Sequence, residues 1–295
     1  MAIEQIRSEG FPTLLVDCGG IVAYGRDARV KAEVAFEYMK MMGYDAINIG
    51  HKEMLIGTDY LRQASASHSD PSFLSSNLRF EEPPDGIRPY LIREVGGVRV
   101  GILGILSDQS VQTEGAVGGF GVRPPGAELE KLIPNLRKEA DVILLLSSLP
   151  YDETREILDR VDSRIDLVIA CDPETETPVK YAGETPFLGT GAKGTHLGFV
   201  QVEYDPTAKS LAVRNHEPIA LGQEIPDNEE VIAMIDRKID DYERNQRLQA
   251  EMLHEELASG LNMTPQEFLR QYGKVSRPGE IPGEITVTIQ GEDCD

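Results

Sequence analysis

Positive charge is scarce in this 295-residue chain, which has 29 lysines and arginines against 50 aspartates and glutamates. The formal net charge is −21. Proteins that hold nucleic acid through its phosphate backbone need clustered cationic side chains, which this composition does not favour. We therefore expect no nucleic-acid partner.

Cysteine is also rare, and Cys18, Cys171 and Cys294 are widely spaced. No C-x-x-C or C-x-x-C-H motif occurs, which excludes a zinc knuckle and covalently attached haem. A chain of this length with 40% hydrophobic residues can bury a sizeable core, so its stability does not require disulfides. The simplest interpretation of the cysteines is small buried hydrophobic side chains.

Long apolar runs are missing as well. No stretch of eighteen apolar residues occurs, so we expect no membrane span. The segment Met1–Arg7 has no cationic part followed by an apolar run, so no secretory signal is visible. Taken literally, the sequence predicts a cytoplasmic protein, and a periplasmic one if the N-terminus is truncated or misassigned.

Short apolar runs alternate with helical patterns over most of the chain, which predicts a mixed α/β sandwich. Helices are predicted at 27–42, 126–138 and 152–161. Strands are predicted at 13–17, 46–49, 73–78, 142–146 and 167–170, with a hairpin at 90–104 and short β segments at 178–204.

The pattern changes after residue 225, and we divide the chain into domains at 1–225 and 226–295. Residues 227–258 predict a long charged helix with an apolar stripe that includes Val231, Ile235 and Ile239. That stripe either packs on its own domain or docks a protein partner. The capping box Thr264–Glu267 predicts a short helix to Tyr272, and 285–289 alternates like an edge strand.

Four polar or glycine-containing loops follow predicted strands. They are Asp17-Cys18-Gly19-Gly20, Gly50-His51-Lys52-Glu53, Ser147-Ser148-Leu149-Pro150 and Ala170-Cys171-Asp172-Pro173-Glu174. Their order resembles the metallophosphatase domain of the 5'-nucleotidase and UDP-sugar hydrolase family, which has D-x-G-D, G-N-H-E, S-H-L-G and G-G-H-[SP]-[HQ] at these places. The resemblance implies a four-layer metallophosphatase sandwich of two mixed β-sheets flanked by helices, with a helical C-terminal extension.

The resemblance also implies a chemistry whose metal ligands this sequence has exchanged. Family members hold two divalent cations that activate a water for attack on a phosphoryl group. Here Gly20 stands where the bridging Asp would be, His51 at the Asn position and Lys52 at the catalytic His position. An ammonium about 4 Å from a divalent ion costs about 8 kcal/mol at an effective dielectric near 20.

The remaining family positions are altered or missing too. Ser148 replaces a His, and Asp172 and Glu174 replace the final His pair. The upstream D-x-H motif is absent, as is the family's C-terminal nucleoside-binding domain, so the resemblance implies no nucleotide specificity. We expect no cofactor, with one Mn or Zn ion on His51, Asp172 and Glu174 as the alternative.

Several candidate residues keep two interpretations. Lys52 either holds an anion or forms a salt bridge with Asp17, Asp172 or Glu53. Asn77 either belongs to the former site or hydrogen-bonds a loop. His196 lies either at the site edge or on the surface, whereas His68, His216 and His254 have no neighbours in sequence that suggest chemistry.

Three functional hypotheses follow. The first is a catalytically degenerate 5'-nucleotidase-like protein that serves as a binding or assembly module. The second is an active metal-dependent phosphoesterase or nucleotidase with an altered site. The third is a subunit of a redox assembly that contains a multihaem cytochrome.

Overall fold

A computed structural model describes residues 2–22, 25, 27–67, 71–80, 86–107, 120–161, 164–171, 179–189, 194–222, 225–260 and 264–272. Its helices are α1 (Ala2–Ser8), α2 (Ala28–Met41), α3 (His51–Met54), α4 (Thr58–Ser67), α5 (Pro125–Glu139), α6 (Tyr151–Leu158), α7 (Glu229–Gly260) and α8 (Pro265–Tyr272). None of the helices in these ranges is both long and apolar enough to cross a membrane.

The strands are short in the first half of the chain and longer in the second. They are β1 (Val16–Asp17), β2 (Ala46–Asn48), β3 (Ser72–Leu74), β4 (Leu78–Phe80), β5 (Ile87–Arg88), β6 (Tyr90–Val95), β7 (Val98–Ile105), β8 (Phe120–Val122), β9 (Val142–Ser147), β10 (Leu167–Ala170), β11 (Lys180–Ala182), β12 (Thr185–Gly189), β13 (His196–Asp205) and β14 (Ser210–Ala220).

Two sheets form the centre of the molecule. The smaller sheet has the order β1-β2-β3-β5, and its described strands are all parallel. The larger sheet has the order β11-β12-β10-β9-β7-β6, with four parallel strands in the middle and an antiparallel strand at each edge. The strand pairs β13–β14 and β4–β8 form separate ribbons.

The apolar runs in the sequence are explained by burial on both sides of each sheet. Along β9, Ile143 and Leu145 pack towards α5 and α6, whereas Leu144 and Leu146 pack between the sheets. Successive strand residues point to opposite faces, so a strand covered on both faces needs a continuous apolar run. Each fully buried leucine contributes about 2 kcal/mol to folding.

The layers follow the order helices, sheet, sheet, helices. One outer core lies between the smaller sheet and α2, α3 and α4, and the other lies between the larger sheet and α5 and α6. The inner core joins the two sheets through Ala46, Leu74, Ile102, Leu144, Leu146, Leu167 and Leu188. The expected four-layer α/β sandwich is confirmed.

The long C-terminal helix packs on the sandwich through its first half. Val231 and Met234 are buried, and Lys238 forms an ion pair with Glu33 of α2. Further along α7, Leu248 and Met252 are exposed by 50% and 68%. Of the predicted stripe, Val231 is therefore buried on the sandwich, whereas Ile239, Leu248 and Met252 are exposed, and the domain boundary at residue 225 stays a prediction.

The capping box before α8 is confirmed. The Thr264 backbone N–H donates to the Glu267 carboxylate, and the Glu267 N–H donates to Thr264 Oγ1 at 3.3 Å. Such reciprocal bonds satisfy N–H groups that the first helical turn leaves without partners. The predicted edge strand at 285–289 lies outside the described residues.

Other expected elements change in the structure. The strand predicted at 73–78 is divided into β3 and β4, because Ser76 and Asn77 leave the strand and hydrogen-bond neighbouring backbone. The prediction of short β segments ended at residue 204 and missed β14, which pairs with β13 and carries many polar side chains. The short helices α1, α3 and α4 were also missed.

Candidate functional site

The loops singled out in the sequence follow strands that end at one edge of the sandwich. In the larger sheet, Ile105, Ser147, Ala170 and Gly189 are aligned in register at the carboxyl ends of four parallel strands. Ligands of open α/β sheets bind outside such carboxyl ends. This edge is therefore the candidate site.

Glycines allow the first three loops to approach one another closely. The φ angle of Gly19 is +90°, and a Cβ there would lie 2.6 Å from the Asn48 carbonyl oxygen. A Cβ on Gly50 would lie 3.0 Å from the Gly20 nitrogen and 3.2 Å from Ser148 Cβ. The structure thus brings positions 20, 50 and 148 together.

Asn48 joins the two sheets beneath these loops. Its side-chain amide donates to the Cys18 carbonyl oxygen at 3.0 Å and to the Ile105 carbonyl oxygen at 2.9 Å. Its Oδ1 is buried without a hydrogen-bond partner and lies against Gly104, where a Cβ would overlap with it. Sequence reasoning placed Asn48 in a strand and missed this role, because both of its acceptors are distant in sequence.

Glu53 fixes the turn that follows the first loop. Its fully buried carboxylate accepts backbone N–H bonds from Gly20 at 2.9 Å, Ile21 at 2.7 Å, Val22 at 3.2 Å and Gly50 at 2.8 Å. Hydrogen bonds to an ionised acceptor are about twice as strong as those between neutral groups. The Glu53 side chain is therefore a structural anchor of the site loops.

Asp17 places a second carboxyl group among the loops. Its Oδ1 accepts the Gly19 backbone N–H at 2.7 Å. Burial of the carboxyl group raises the pKa of Asp17 to about 7, the Gly19 N–H lowers it, and the charge of Glu53 raises it further. Close to neutral pH, Asp17 is therefore protonated in a large fraction of the molecules.

Gly20 leaves space where the family has its bridging carboxylate. Its φ angle is +80°, and no atom lies within 4 Å of the place that a Cβ would take. His51 and Lys52 form the first turn of α3 and are part-buried. Ser148 Oγ donates to the Ile105 carbonyl oxygen at 3.2 Å.

Asn77 uses both ends of its side-chain amide on loop backbone. Nδ2 donates to the carbonyl oxygens of Leu106 at 2.8 Å and Arg123 at 3.0 Å, and Oδ1 accepts the Leu106 N–H at 3.1 Å. These bonds tie β4 and β8 to the end of β7. Of the two interpretations of Asn77, the structure therefore supports the one in which its side chain hydrogen-bonds a loop.

The two histidines near the glycine-rich segment differ in environment. His196 begins β13, and its Nδ1 lies 3.0 Å from Thr195 Oγ1. Burial lowers the pKa of His216 in β14, and a hydrogen bond with the Gly189 backbone at the carboxyl edge offsets part of this shift. Sequence reasoning set His216 aside because none of its neighbours in sequence suggests chemistry.

Cys18 and Cys171 form a disulfide with a Cα–Cα distance of 5.8 Å. The interpretation of these two cysteines as isolated hydrophobic residues is therefore wrong. Cys18 follows β1 of the smaller sheet, and Cys171 follows β10 of the larger sheet. The carboxyl ends of both strands face the same edge. The family resemblance of the loops implies that both cysteines lie near this edge, but it did not predict a bond between residues 153 apart in sequence.

The described loops do not fit the donor set of a two-metal centre. Gly20 offers no ligand, and the Glu53 carboxylate and Asn77 amide are engaged by backbone groups. A hydroxyl such as that of Ser148 is a weak ligand for divalent metals. Over the described ranges, no three His, Cys, Asp or Glu side chains are grouped so that they could hold a metal ion.

The predicted single-metal site is a separate question. Asp172 and Glu174 lie outside the described residues. The combination of these two with His51 therefore stays a prediction, as does the salt bridge or anion contact of Lys52.

Comparisons with known proteins agree with this architecture. Bovine 5'-nucleotidase is 26% identical over 285 residues, which cover 81% of this chain and 46% of that protein. The chain thus spans about half the length of the curated relatives that it matches. No model of a protein family matches the chain.

Solved structures give the same result. The sulfate thiohydrolase SoxB of Thermus thermophilus has a TM-score of 0.69 at 19% identity, over 82% of this chain and 45% of that one. A 5'-nucleotidase precursor from Thermus thermophilus has a TM-score of 0.68 at 19% identity, over 85% of this chain and 52% of that one. The fold is a metallophosphatase sandwich.

The sequence similarity points to a narrower class of proteins than the fold does. Curated relatives from several vertebrates that match about four-fifths of the chain are 5'-nucleotidases. The chain contains a 5'-nucleotidase-like metallophosphatase domain.

Proposed function

We propose that this protein is a catalytically degenerate member of the metallophosphatase fold that serves as a binding or assembly module. The observation that carries this proposal is the glycine at position 20. Family chemistry needs a carboxylate there to bridge two cations, and Gly20 has only a backbone N–H, which Glu53 binds at 2.9 Å.

Hydrolysis of p-nitrophenyl phosphate and of 5'-AMP, with added manganese or zinc, tests the loss of activity. We expect no release of product above that of the metal alone. Metal-dependent hydrolysis would refute the proposal. If alanine at positions 51, 172 or 174 then abolished it, the altered-site phosphoesterase would replace the degenerate module.

The exposed part of α7 is the surface that we assign to assembly. Leu248 and Met252 are one helical turn apart and lie on one face, where both are at least half exposed. We assign these two large apolar side chains, exposed among charged residues, to a protein contact.

A photo-reactive amino acid in place of Met252 tests this surface in the source cells. Arg247 is the matched control position, because it is exposed on another side of the same helix. We expect a discrete cross-linked product from position 252 only. Haem absorbance in that product would favour the multihaem cytochrome hypothesis, and equal labelling from both positions would refute the assigned surface.

The disulfide bears on localisation. Structural disulfides persist in oxidising compartments and are rare in the cytosol. The Cys18–Cys171 bond therefore favours the periplasmic alternative over the cytoplasmic one. Fractionation of the source cells, followed by thiol labelling, tests this placement.

A further inference from the structure

The disulfide joins the two sheets at the carboxyl edge. Cys18 lies in the first loop, directly after Asp17, and Cys171 directly follows β10. We propose that this pair is a thiol–disulfide exchange site, at which a dithiol opens the carboxyl edge without unfolding the sandwich.

The two sulfurs are unequally accessible. Cys18 is 4% exposed and belongs to the inner core, whereas Cys171 is part-buried at the edge of that core. An incoming thiolate therefore attacks Cys171 Sγ, and Cys18 Sγ is the leaving group. The chemical class of partner is a small dithiol or a dithiol oxidoreductase.

The thiol–disulfide exchange has two steps. The first thiolate of the dithiol forms a bond to Cys171 Sγ while the Cys18–Cys171 bond breaks, and Cys18 leaves as a thiolate that takes up a proton. The second thiol of the dithiol, as its thiolate, then displaces Cys171, which also becomes a protonated thiol. The protein gains two electrons and two protons, and the dithiol becomes a disulfide.

Other contacts keep the sandwich together when the disulfide opens. Asn48 still bonds Cys18 of one sheet and Ile105 of the other. The four N–H bonds to Glu53 still hold the turn at residues 20–22. The reduced Cys171 thiol already has an acceptor, because its Sγ lies 2.8 Å from the Gly19 carbonyl oxygen.

Opening is therefore confined to the edge. The strand ends Ala170 and Ser147 remain paired within the larger sheet, and Asp17 remains paired with Ile47 in the smaller one. The first loop and the end of β10 at Cys171 are then no longer cross-linked. A reversible disulfide thus gives this edge an open and a closed form.

Redox titration of the full chain with Cys294→Ser tests the proposal, because only the Cys18–Cys171 pair then remains. The protein is equilibrated with mixtures of reduced and oxidised dithiothreitol, alkylated, and weighed intact. We expect two alkyl groups on reduction and none after reoxidation, with far-UV circular dichroism unchanged. Reduction that occurs only in denaturant would overturn the proposal.

Hydrogen exchange locates the opening. We expect the largest increase in exchange on reduction in residues 17–22 and 165–171, well beyond the increase that loss of the cross-link causes in residues 142–147 at the centre of the larger sheet. An increase of the same size throughout the chain would contradict an exchange site confined to the edge.

Glutathione identifies the attacked sulfur without a variant that removes either cysteine. We expect a transient mixed disulfide on Cys171, found by peptide mapping, with at least about tenfold less on Cys18 because of its burial. As a second readout, the Cys171 thiol in Cys18→Ala should react at least about tenfold faster than the Cys18 thiol in Cys171→Ala. Equal labelling would contradict the assignment of Cys171.

Discussion

Replacement of Glu53 by glutamine tests how the loops are held at the carboxyl edge. Each carboxylate oxygen of Glu53 accepts two backbone N–H groups, from Gly20 and Gly50 on Oε2 and from Ile21 and Val22 on Oε1. Glutamine keeps the shape of the side chain but removes its charge. One of the two carboxylate oxygens is replaced by an NH₂ group, which cannot accept a hydrogen bond. The two backbone N–H groups that donate to that oxygen would then have no acceptor.

The expected cost follows from these four bonds. A hydrogen bond to a charged group contributes about 1.5–3 kcal/mol, and a buried donor left unsatisfied costs about 1–3 kcal/mol. Two lost bonds and two weakened ones give a destabilisation of about 3–5 kcal/mol. This is a large share of the roughly 5–15 kcal/mol by which a domain is stable.

Urea unfolding followed by far-UV circular dichroism measures this change. We expect Glu53→Gln to shift the midpoint without a change in the slope of the transition. Glu130→Gln, at an exposed position of helix α5, is the matched control and should stay within about 0.5 kcal/mol of the wild type. A loss below about 1 kcal/mol for Glu53→Gln would refute the anchoring role of this carboxylate.

Three further perturbations test separate parts of the site. The pKa of Asp17 is raised from 3.8 to about 7, so the stabilisation from its bound proton is complete at low pH and is lost as the pH rises through about 7. As the pH rises from about 4 to about 8, the wild type should therefore lose up to about 4 kcal/mol of stability relative to Asp17→Asn, measured by urea unfolding at each pH. A pH-independent difference would contradict the burial of this carboxyl group. Gly20→Asp should cost about 1–2 kcal/mol in thermal unfolding, because a φ of +80° strains an L residue although its Cβ has space, and an unchanged melting temperature would contradict this strain. The double change of Cys18 and Cys171 to serine removes a cross-link between residues 153 apart, so a loss of about 2–5 kcal/mol is expected, and dithiothreitol should then have no effect on the unfolding midpoint.

Local patterns predicted the framework of the fold well. The apolar run at 142–146 and the hairpin around Gly96-Gly97 both occur as expected, as β9 and as β6 with β7. Helix α2 matches the predicted helix at 27–42 to within one residue at each end. These elements are specified by spacing and by turn residues within a few positions of one another, which one sequence is enough to reveal.

The site depends on contacts that span the chain, and these could not be predicted. The disulfide and the Asn48 bond to Ile105 each join residues from different sheets. The exposed strand β14 lacks a clear apolar alternation, so it was missed together with His216. The resemblance placed the loops at one edge, but it could not show that Glu53 binds the backbone of the first two.

Metal content tests the proposed loss of the dinuclear centre most directly. The full chain is purified without chelators, dialysed against manganese and zinc, freed of unbound ions and analysed by elemental mass spectrometry, with an EDTA-treated sample as the reference. We expect no stoichiometric metal above that reference, since Gly20 supplies no bridging ligand and Glu53 is bound by backbone N–H groups. About two equivalents of either metal would contradict this expectation, because a two-metal site would then form without the family's ligands.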